Sequence, residues 1–238
     1  MSVCATLILV DRFRSLDDLV YLTETRGYYG GERLLRATCK KFSQLCARAG
    51  LTIHLQRNFT MSYDTNIPRM VGLAGSSAIV SAALRGLMRF YGVTAEDLKV
   101  EKARLPQIVL DIEVGELGIS AGLQDRVIQI YGGLVHMDFT QEAMNQHNLK
   151  HGSYTELDPA ILPPLYLAYD ARLSKDSGKT HSTVKQRWID RDPELVQGKQ
   201  RSWWNFVAFL IRCLGMSDIA QLADRAVAAL QAGNYGSL

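Results

Sequence analysis

Three stretches carry apolar residues at helical spacing. In residues 32–49, Leu34, Leu35, Thr38, Phe42, Leu45 and Cys46 fall on one side of a helix that Gly50 ends. In the second, Ile79, Val80, Ala83, Leu84, Leu87, Met88 and Tyr91 step by threes and fours until Gly92. In the third, Ile219, Leu222, Ala223, Ala226 and Leu230 line residues 217–232, closed by Gly233. Shorter helices are predicted from Ser15-Leu16-Asp17-Asp18 through Leu22, from Thr94-Ala95-Glu96-Asp97, from Pro106 to Val114, and over 121–131 before Gly132-Gly133. Residues 183–189 and 195–216 suggest further helices. Period-two or continuous apolar runs predict strands at 4–10, 51–55, 59–63, 134–139 and 165–169. Residues 141–155, with His147 and His151, and residues 175–182 are polar and read as loops, and Leu162-Pro163-Pro164 reads as a linker. Strands and helices thus mix along the chain, with a break near residue 160.

Composition narrows the function without naming it. The 238 residues suffice for one large domain or two small ones. A net charge of +3 gives no electrostatic reason to expect a nucleic-acid or membrane partner. The apolar N-terminal run has no basic start or cleavage-like end, and the window 203–216 is too short and too polar to span a bilayer. Cys4, Cys39, Cys46 and Cys213 form no CxxC pair and read as structural thiols in a reducing, cytoplasmic setting.

The densest chemistry sits at Gly72, Leu73, Ala74, Gly75, Ser76, Ser77 and Ala78, a glycine- and serine-rich turn that feeds the second helix. The first amides of a helix lack intrahelical acceptors and face outward with partial positive charge, so such a turn suits an anion, usually phosphate. Ser76 or Ser77 could bond a phosphate oxygen or ligate Mg²⁺. Serine also caps helices and glycine also turns chains with no ligand at all, and both readings stand at this point. The turn is not a Walker A loop, for no Lys-Ser or Lys-Thr closes it, and it lacks the Gly-x-Gly-x-x-Gly fingerprint. Glu113 and Asp125 are the most informative acids. Each has a plain alternative, Glu113 as a solvated helix residue and Asp125 as a first-turn acid paired with Arg126. Tyr28 and Tyr29 either form a stacking platform or pack at a turn.

Pro68-x-x-x-Gly-Leu-Ala-Gly-Ser-Ser-Ala resembles the second signature of the GHMP small-molecule kinases, commonly Gly-Leu-Gly-Ser-Ser-Ala, with one extra residue between Leu73 and the serines. The wider run from Ser62-Tyr63-Asp64-Thr65-Asn66 through Ser81-Ala82-Ala83-Leu84 is similar to the glucuronokinase branch. Gly118-Ile119-Ser120-Ala121-Gly122-Leu123-Gln124-Asp125-Arg126 resembles the family segment that carries a catalytic Asp, and Glu113 precedes Asp125 by the family's interval of 12 (125 − 113). The resemblance implies an α/β (α+β) fold: a GHMP kinase-like N-terminal domain with a mostly antiparallel sheet and packed helices over 1–160, incomplete at its start, and the beginning of an α+β C-terminal domain over 161–238. It implies ATP and Mg²⁺, with Gly72 to Ala78 around the phosphates, Ser77 and Glu113 as metal ligands, and Asp125 as the base or orienting carboxylate. It implies transfer of the ATP γ-phosphate to a sugar acid, with glucuronate at its anomeric hydroxyl as the expected substrate. Other sugars, or a catalytically impaired nucleotide- or sugar-binding remnant or partner subunit, are the alternatives. Arg69, Arg126, Lys175 and Lys179 lie in family-like segments, but surface charge is the ordinary reading of each. Relative to the family the chain looks cut at both ends. That predicts low intrinsic activity and self-association through an exposed sheet edge and helix stripe.

Overall fold

The computed structural model describes residues 11–53, 58–68, 71–169, 186–187, 189–191 and 216–237. Its helices are α1 (Leu16–Arg26), α2 (Arg33–Ala49), α3 (Gly75–Tyr91), α4 (Leu105–Asp111), α5 (Gln124–Tyr131), α6 (Gln141–Gln146) and α7 (Met216–Gln231). Strands β1 (Leu134–Asp138) and β2 (Ser153–Leu157) pair antiparallel, with Leu134 opposite Leu157 and Asp138 opposite Ser153. Helices therefore dominate the described residues, and the mixed fold class holds with a small antiparallel sheet.

Local chemistry sets the start of α1 and the ends of α2 and α3 where the spacing placed them, while α1 runs past the expected Leu22 to Arg26, α4 gives way to a π turn after Asp111 and α5 starts at Gln124 rather than 121. The Ser15 hydroxyl accepts from the backbone N–H of Asp18 at 3.0 Å, and Asp17 and Asp18 meet the positive end of α1. Helices α2 and α3 end alike. The amides of Gly50 and Leu51 reach back to Ala47 and Cys46, and those of Gly92 and Val93 to Arg89 and Met88. This closure needs a left-handed residue, which Gly50 (φ 78°) and Gly92 (φ 66°) supply.

The core lies where α2, α3, α4 and α5 meet. Phe42 and Cys46 from α2, Val80, Leu84 and Leu87 from α3, and Ile108 and Val109 from α4 are buried together, with Ile112 just beyond α4, Ile130 of α5 and Leu16 and Leu19 of α1 joining them. The i, i+4, i+7 spacing of Val80, Leu84 and Leu87 is the stripe read from the sequence. Cys39 and Cys46 are buried free thiols, and burial pushes them up to about 12 and about 11, so both act as small apolar fillers.

Several strand and loop expectations fail for one physical reason: a strand exists only when a partner takes its backbone hydrogen bonds. Residues 51–53 and 58–63 join no ladder among the described residues. Phe59 instead sets its ring against Phe90 (centroids 5.3 Å apart) and Tyr91 (6.2 Å) at the end of α3. Residues 165–169 also join no ladder among the described residues. The expected loop 141–155 holds α6 and the start of β2. Beside β2, a Cβ at Gly152 would lie 2.3 Å from the Asp138 carbonyl oxygen, a backbone approach open only to glycine. Thr94 and Asp97 bond reciprocally, the Thr94 amide to the carboxylate at 2.8 Å and the Asp97 amide to the hydroxyl at 3.2 Å, and close a turn rather than start a helix. The expected strand at 4–10, the loop at 175–182 and most of the helices at 183–189 and 195–216 lie outside the described residues, as do Arg69, Lys175 and Lys179. No helix of the described residues is long and apolar enough to cross a membrane.

Candidate functional site

The glycine-rich turn delivers the chain into α3 through two left-handed residues, Gly72 (φ 79°) and Ala74 (φ 54°, ψ 31°). No side chain caps α3, so its first amides are not spent on a neighbour. The Ala74 carbonyl is the fixed point of the turn. It accepts from the Ala78 amide (3.1 Å), the Ser77 hydroxyl (3.0 Å) and the Gln129 side-chain amide (3.2 Å). Gln129 also accepts from the Ser81 hydroxyl at 3.3 Å, so one side chain of α5 pins both the turn and the second turn of α3. Ser77 is buried, with its proton committed to Ala74 and its oxygen lone pairs left as acceptors. A Cβ at Gly75 would meet only Ile67, at an ordinary 3.5 Å. Packing therefore does not demand glycine there.

The acids come from the π turn that follows α4 and from the first turn of α5. Helix α4 widens into a π turn, Ile112–Glu116, which turns Glu113 fully inward at 0 % exposure. Its Oε2 accepts two bonds from Arg126, from Nε at 2.8 Å and from Nη2 at 2.5 Å. The remaining guanidinium nitrogen, Nη1, donates to Asp125 Oδ2 and to the Gly122 carbonyl, both at 3.1 Å. The two sequence-predicted carboxylates therefore share one buried guanidinium. Asp125, 48 % exposed at its side chain, presents itself to solvent while Glu113 does not. Asp125 and Gln129 are four apart on α5, hence on one face, with Cβ atoms about 5–6 Å apart. Gln129 touches Ala74, so that face carries Asp125 toward the glycine-rich turn. Among the described residues no hydrogen bond joins Ser77 to Glu113 or Asp125; the link is Gln129 of α5, which bonds Ala74 and Ser81.

A divalent cation fits the donor set. Glu113 Oε1 is buried and has no hydrogen-bond partner, an expensive state for a carboxylate oxygen. Hard cations take carboxylate and hydroxyl oxygens, and Mg²⁺ characteristically uses one or two carboxylates beside substrate phosphates and water. Among the described residues no three His, Cys, Asp or Glu side chains gather into a larger metal cluster.

Behind Glu113, the far end of the π turn is tied to α2. Glu116 accepts from the Tyr28 hydroxyl at 2.7 Å and from Lys40 Nζ at 2.8 Å. Burial alone would raise the Glu116 carboxyl, but these bonds and the charges of Lys40 and Lys41 outweigh it and hold it below the usual range. Burial, then the bond to Glu116, pushes the Tyr28 phenol far above its ordinary value, so it stays a donor. Tyr29 packs beneath the Arg36 guanidinium, 4.1 Å from ring centroid to Cζ. Both tyrosines are thus packing and hydrogen-bonding residues here.

Lys40, Glu116 and Gln129 escaped the sequence reading. Glu113 and Glu116 are three apart, a spacing that puts them on one side of an α-helix and conceals that a π turn separates their tasks. Arg126, read as surface charge, is buried. A cavity of about 230 Å³ lined by Leu51, Thr52, Ile53, Tyr91, Gly92, Val93 and Asp97 lies at the opposite end of α3 from the turn, a helix ~25 Å long. It is separate from the carboxylates.

Residues 33–133 match the GHMP kinases N terminal domain, a span that holds the whole glycine-rich turn, Glu113 and Asp125. The chain is 48% identical over 228 residues to "Probable glucuronokinase 2" of Arabidopsis thaliana, covering 95% of this chain and 56% of that one. It is 55% identical over 185 residues to "Glucuronokinase 1" of the same plant, covering 78% of this chain and 49% of that one. The chain spans about half the length of the curated relatives it matches. No solved structure matches it.

Proposed function

Residues 33–133 are a GHMP kinase N-terminal domain, and on that premise we propose that the chain serves an ATP-dependent sugar-acid kinase acting on glucuronate at its anomeric hydroxyl, in the cytoplasm. The observation that carries the reading is the arrangement of Glu113 and Asp125 on one guanidinium, on the helix that pins the glycine-rich turn. The names of the two relatives supply the substrate class.

Phosphoryl transfer needs positioning and charge stabilisation more than covalent help. The amides at the start of α3, from Gly75 to Ser77, with Gly72, Leu73, Ala74 and Ala78 shaping the approach, hold the nucleotide phosphates. Ser77 Oγ and Glu113 Oε1 are the oxygens that would hold Mg²⁺, which neutralises phosphate charge when bound. Asp125, the more exposed carboxylate, accepts or orients the proton of the sugar hydroxyl. The hydroxyl oxygen bonds to the γ-phosphorus, the bond from that phosphorus to the bridging oxygen breaks, and ADP leaves with the electron pair.

The test is ATP consumption by the purified chain, with Mg²⁺, across a panel of sugars and sugar acids. Glucuronate should be the preferred acceptor. Asp125→Asn should cut kcat by roughly 10²-fold or more and leave ATP affinity nearly unchanged, as befits an interaction made in the transition state. A chain that turns over a neutral sugar in preference to glucuronate, or for which Asp125→Asn is silent, removes the reading.

A further inference from the structure

An arginine fork normally meets a carboxylate with two parallel bonds, one to each oxygen. Arg126 does not. Both Nε and Nη2 converge on Oε2 of Glu113, and Oε1 is left buried without a partner. A simple buried ion pair has no reason to stop there, since the unmet oxygen has given up water and gained no partner in return. The third nitrogen is equally specific. It bridges Asp125 Oδ2 and the Gly122 carbonyl, which fixes the guanidinium plane against the backbone that leads into α5. The asymmetry makes sense if Oε1 is reserved for a cation and Oε2 is the handle by which the carboxylate is held.

We infer that Arg126 is a positioning residue, which clamps Oε2 of Glu113 so that Oε1 alone is presented to a divalent cation while the same guanidinium orients Asp125. The inference rests on the cation role proposed for Glu113. Hydrogen bonds from an outer residue orient a ligating carboxylate, and losing such a partner typically costs about 10–100-fold in metal affinity. Lysine would keep the positive charge but has a point-like head, so it cannot hold Oε2 of Glu113 by two bonds and Oδ2 of Asp125 by a third in a fixed plane. Arg126→Lys therefore separates geometry from charge. Removing the charge, as in Arg126→Gln, lifts electrostatic repulsion of a cation and also frees the carboxylate, so it is the less clean variant.

The experiment titrates the purified chain with Mn²⁺ alone and follows the free ion by electron paramagnetic resonance, beside a thermal melt of each variant. The wild type should bind Mn²⁺, Glu113→Gln should lose that binding, and Arg126→Lys should weaken it by about 10-fold or more at a similar melting temperature. Because Arg126→Lys can fail to fold, a second measurement uses the wild type. The ¹⁵N resonance of the Arg126 Nε–H should shift on Mg²⁺ addition, as loading Oε1 draws charge from Oε2 and weakens its bond. Equal Mn²⁺ affinity in wild type and Arg126→Lys, or an Nε–H resonance indifferent to Mg²⁺ in a chain that binds Mn²⁺, overturns the positioning role and leaves the kinase reading standing. A wild type that binds no Mn²⁺ overturns the cation role of Glu113 and this inference with it. Glucuronate phosphorylation then reports separately on the kinase reading.

Discussion

Ala74 holds a conformation that its own Cβ resists. At φ 54° and ψ 31° it lies in the left-handed region, where the side chain crowds the backbone. The arrangement persists because three donors converge on its carbonyl. Ala74→Gly should relieve that crowding by more than the added freedom of the unfolded chain costs, a net gain of about 1 kcal/mol, or roughly 2–4 °C in a chain of this size. Calorimetry reads it directly, and a lower melting temperature would mean that the Ala74 methyl contributes packing worth more than the strain. At this scale the sequence was partly legible. The turn, Glu113 and Asp125 stood out because their residue types are unusual at their spacing. Arg126 did not, because one position in a helix's first turn gives no hint of whether a neighbouring segment has closed over it. Gln129 was silent for the same reason: its role exists only once α3 lies beside α5.

Between elements, the bond that matters is that of α2 to the π turn. Lys40 and Tyr28 hold Glu116, and that grip fixes the far end of the segment carrying Glu113. Glu116 is depressed in the folded state relative to about 4.3 in an unfolded chain. Its contribution is therefore fully present above the unfolded value and is lost as pH falls through the lower folded one. Glu116→Gln should melt below the wild type at pH 7, and the gap should narrow progressively below about pH 4. A gap that is flat with pH would assign the loss to shape rather than charge. Elements themselves were read unevenly. Helices α2, α3 and α7 followed from one-sided apolar spacing and a terminal glycine, because a helix satisfies its own backbone. Strands do not, so residues 59–63 looked like one and are not, whereas β2 looked like loop and is paired with β1.

For the molecule as a whole, the proposed site draws on three segments: the turn before α3 and, far from it in sequence, the π turn after α4 and the start of α5. Anything that binds this assembly in the folded state alone raises the melting temperature by mass action. ATP with Mg²⁺ at a hundred times its Kd should add about 2.7 kcal/mol, a rise of roughly 5–10 °C. Gly75→Val should remove most of the rise. Its backbone neighbourhood has room for a Cβ, so a normal melt without nucleotide would separate lost binding from lost folding. A wild type that melts identically with and without Mg²⁺-ATP would falsify nucleotide binding at this turn. Pattern alone showed which stretches are helices, while the fold class and the grouping of the three segments came from the family resemblance. Nothing in spacing says which helix lies against which.

The π turn is also a matter of counting. Ile112–Glu116 accommodates a residue that an α-helix would not, and the chain must be the right length there as well as the right composition. Gly115 touches nothing within 4 Å at the place a side chain would occupy, and Val114 beside it is 44 % exposed. Neither residue is needed for what it contacts. Deleting Gly115 would leave every acid, the arginine and the serines in the chain, yet remove the residue that the π turn absorbs, so the segment would close as an ordinary α turn and Glu113 would lose the setting that turns it inward. The result should be a chain with its chemistry intact on paper and its Glu113–Arg126 pair broken, destabilised by about 3–5 kcal/mol because a buried charge has lost its partner. Substituting Gly115 by Ala should cost far less, and denaturant melts of the two variants side by side would weigh spacing against identity. For this segment, distance along the chain is itself an inherited trait, and one lost codon should do more harm than most changed ones.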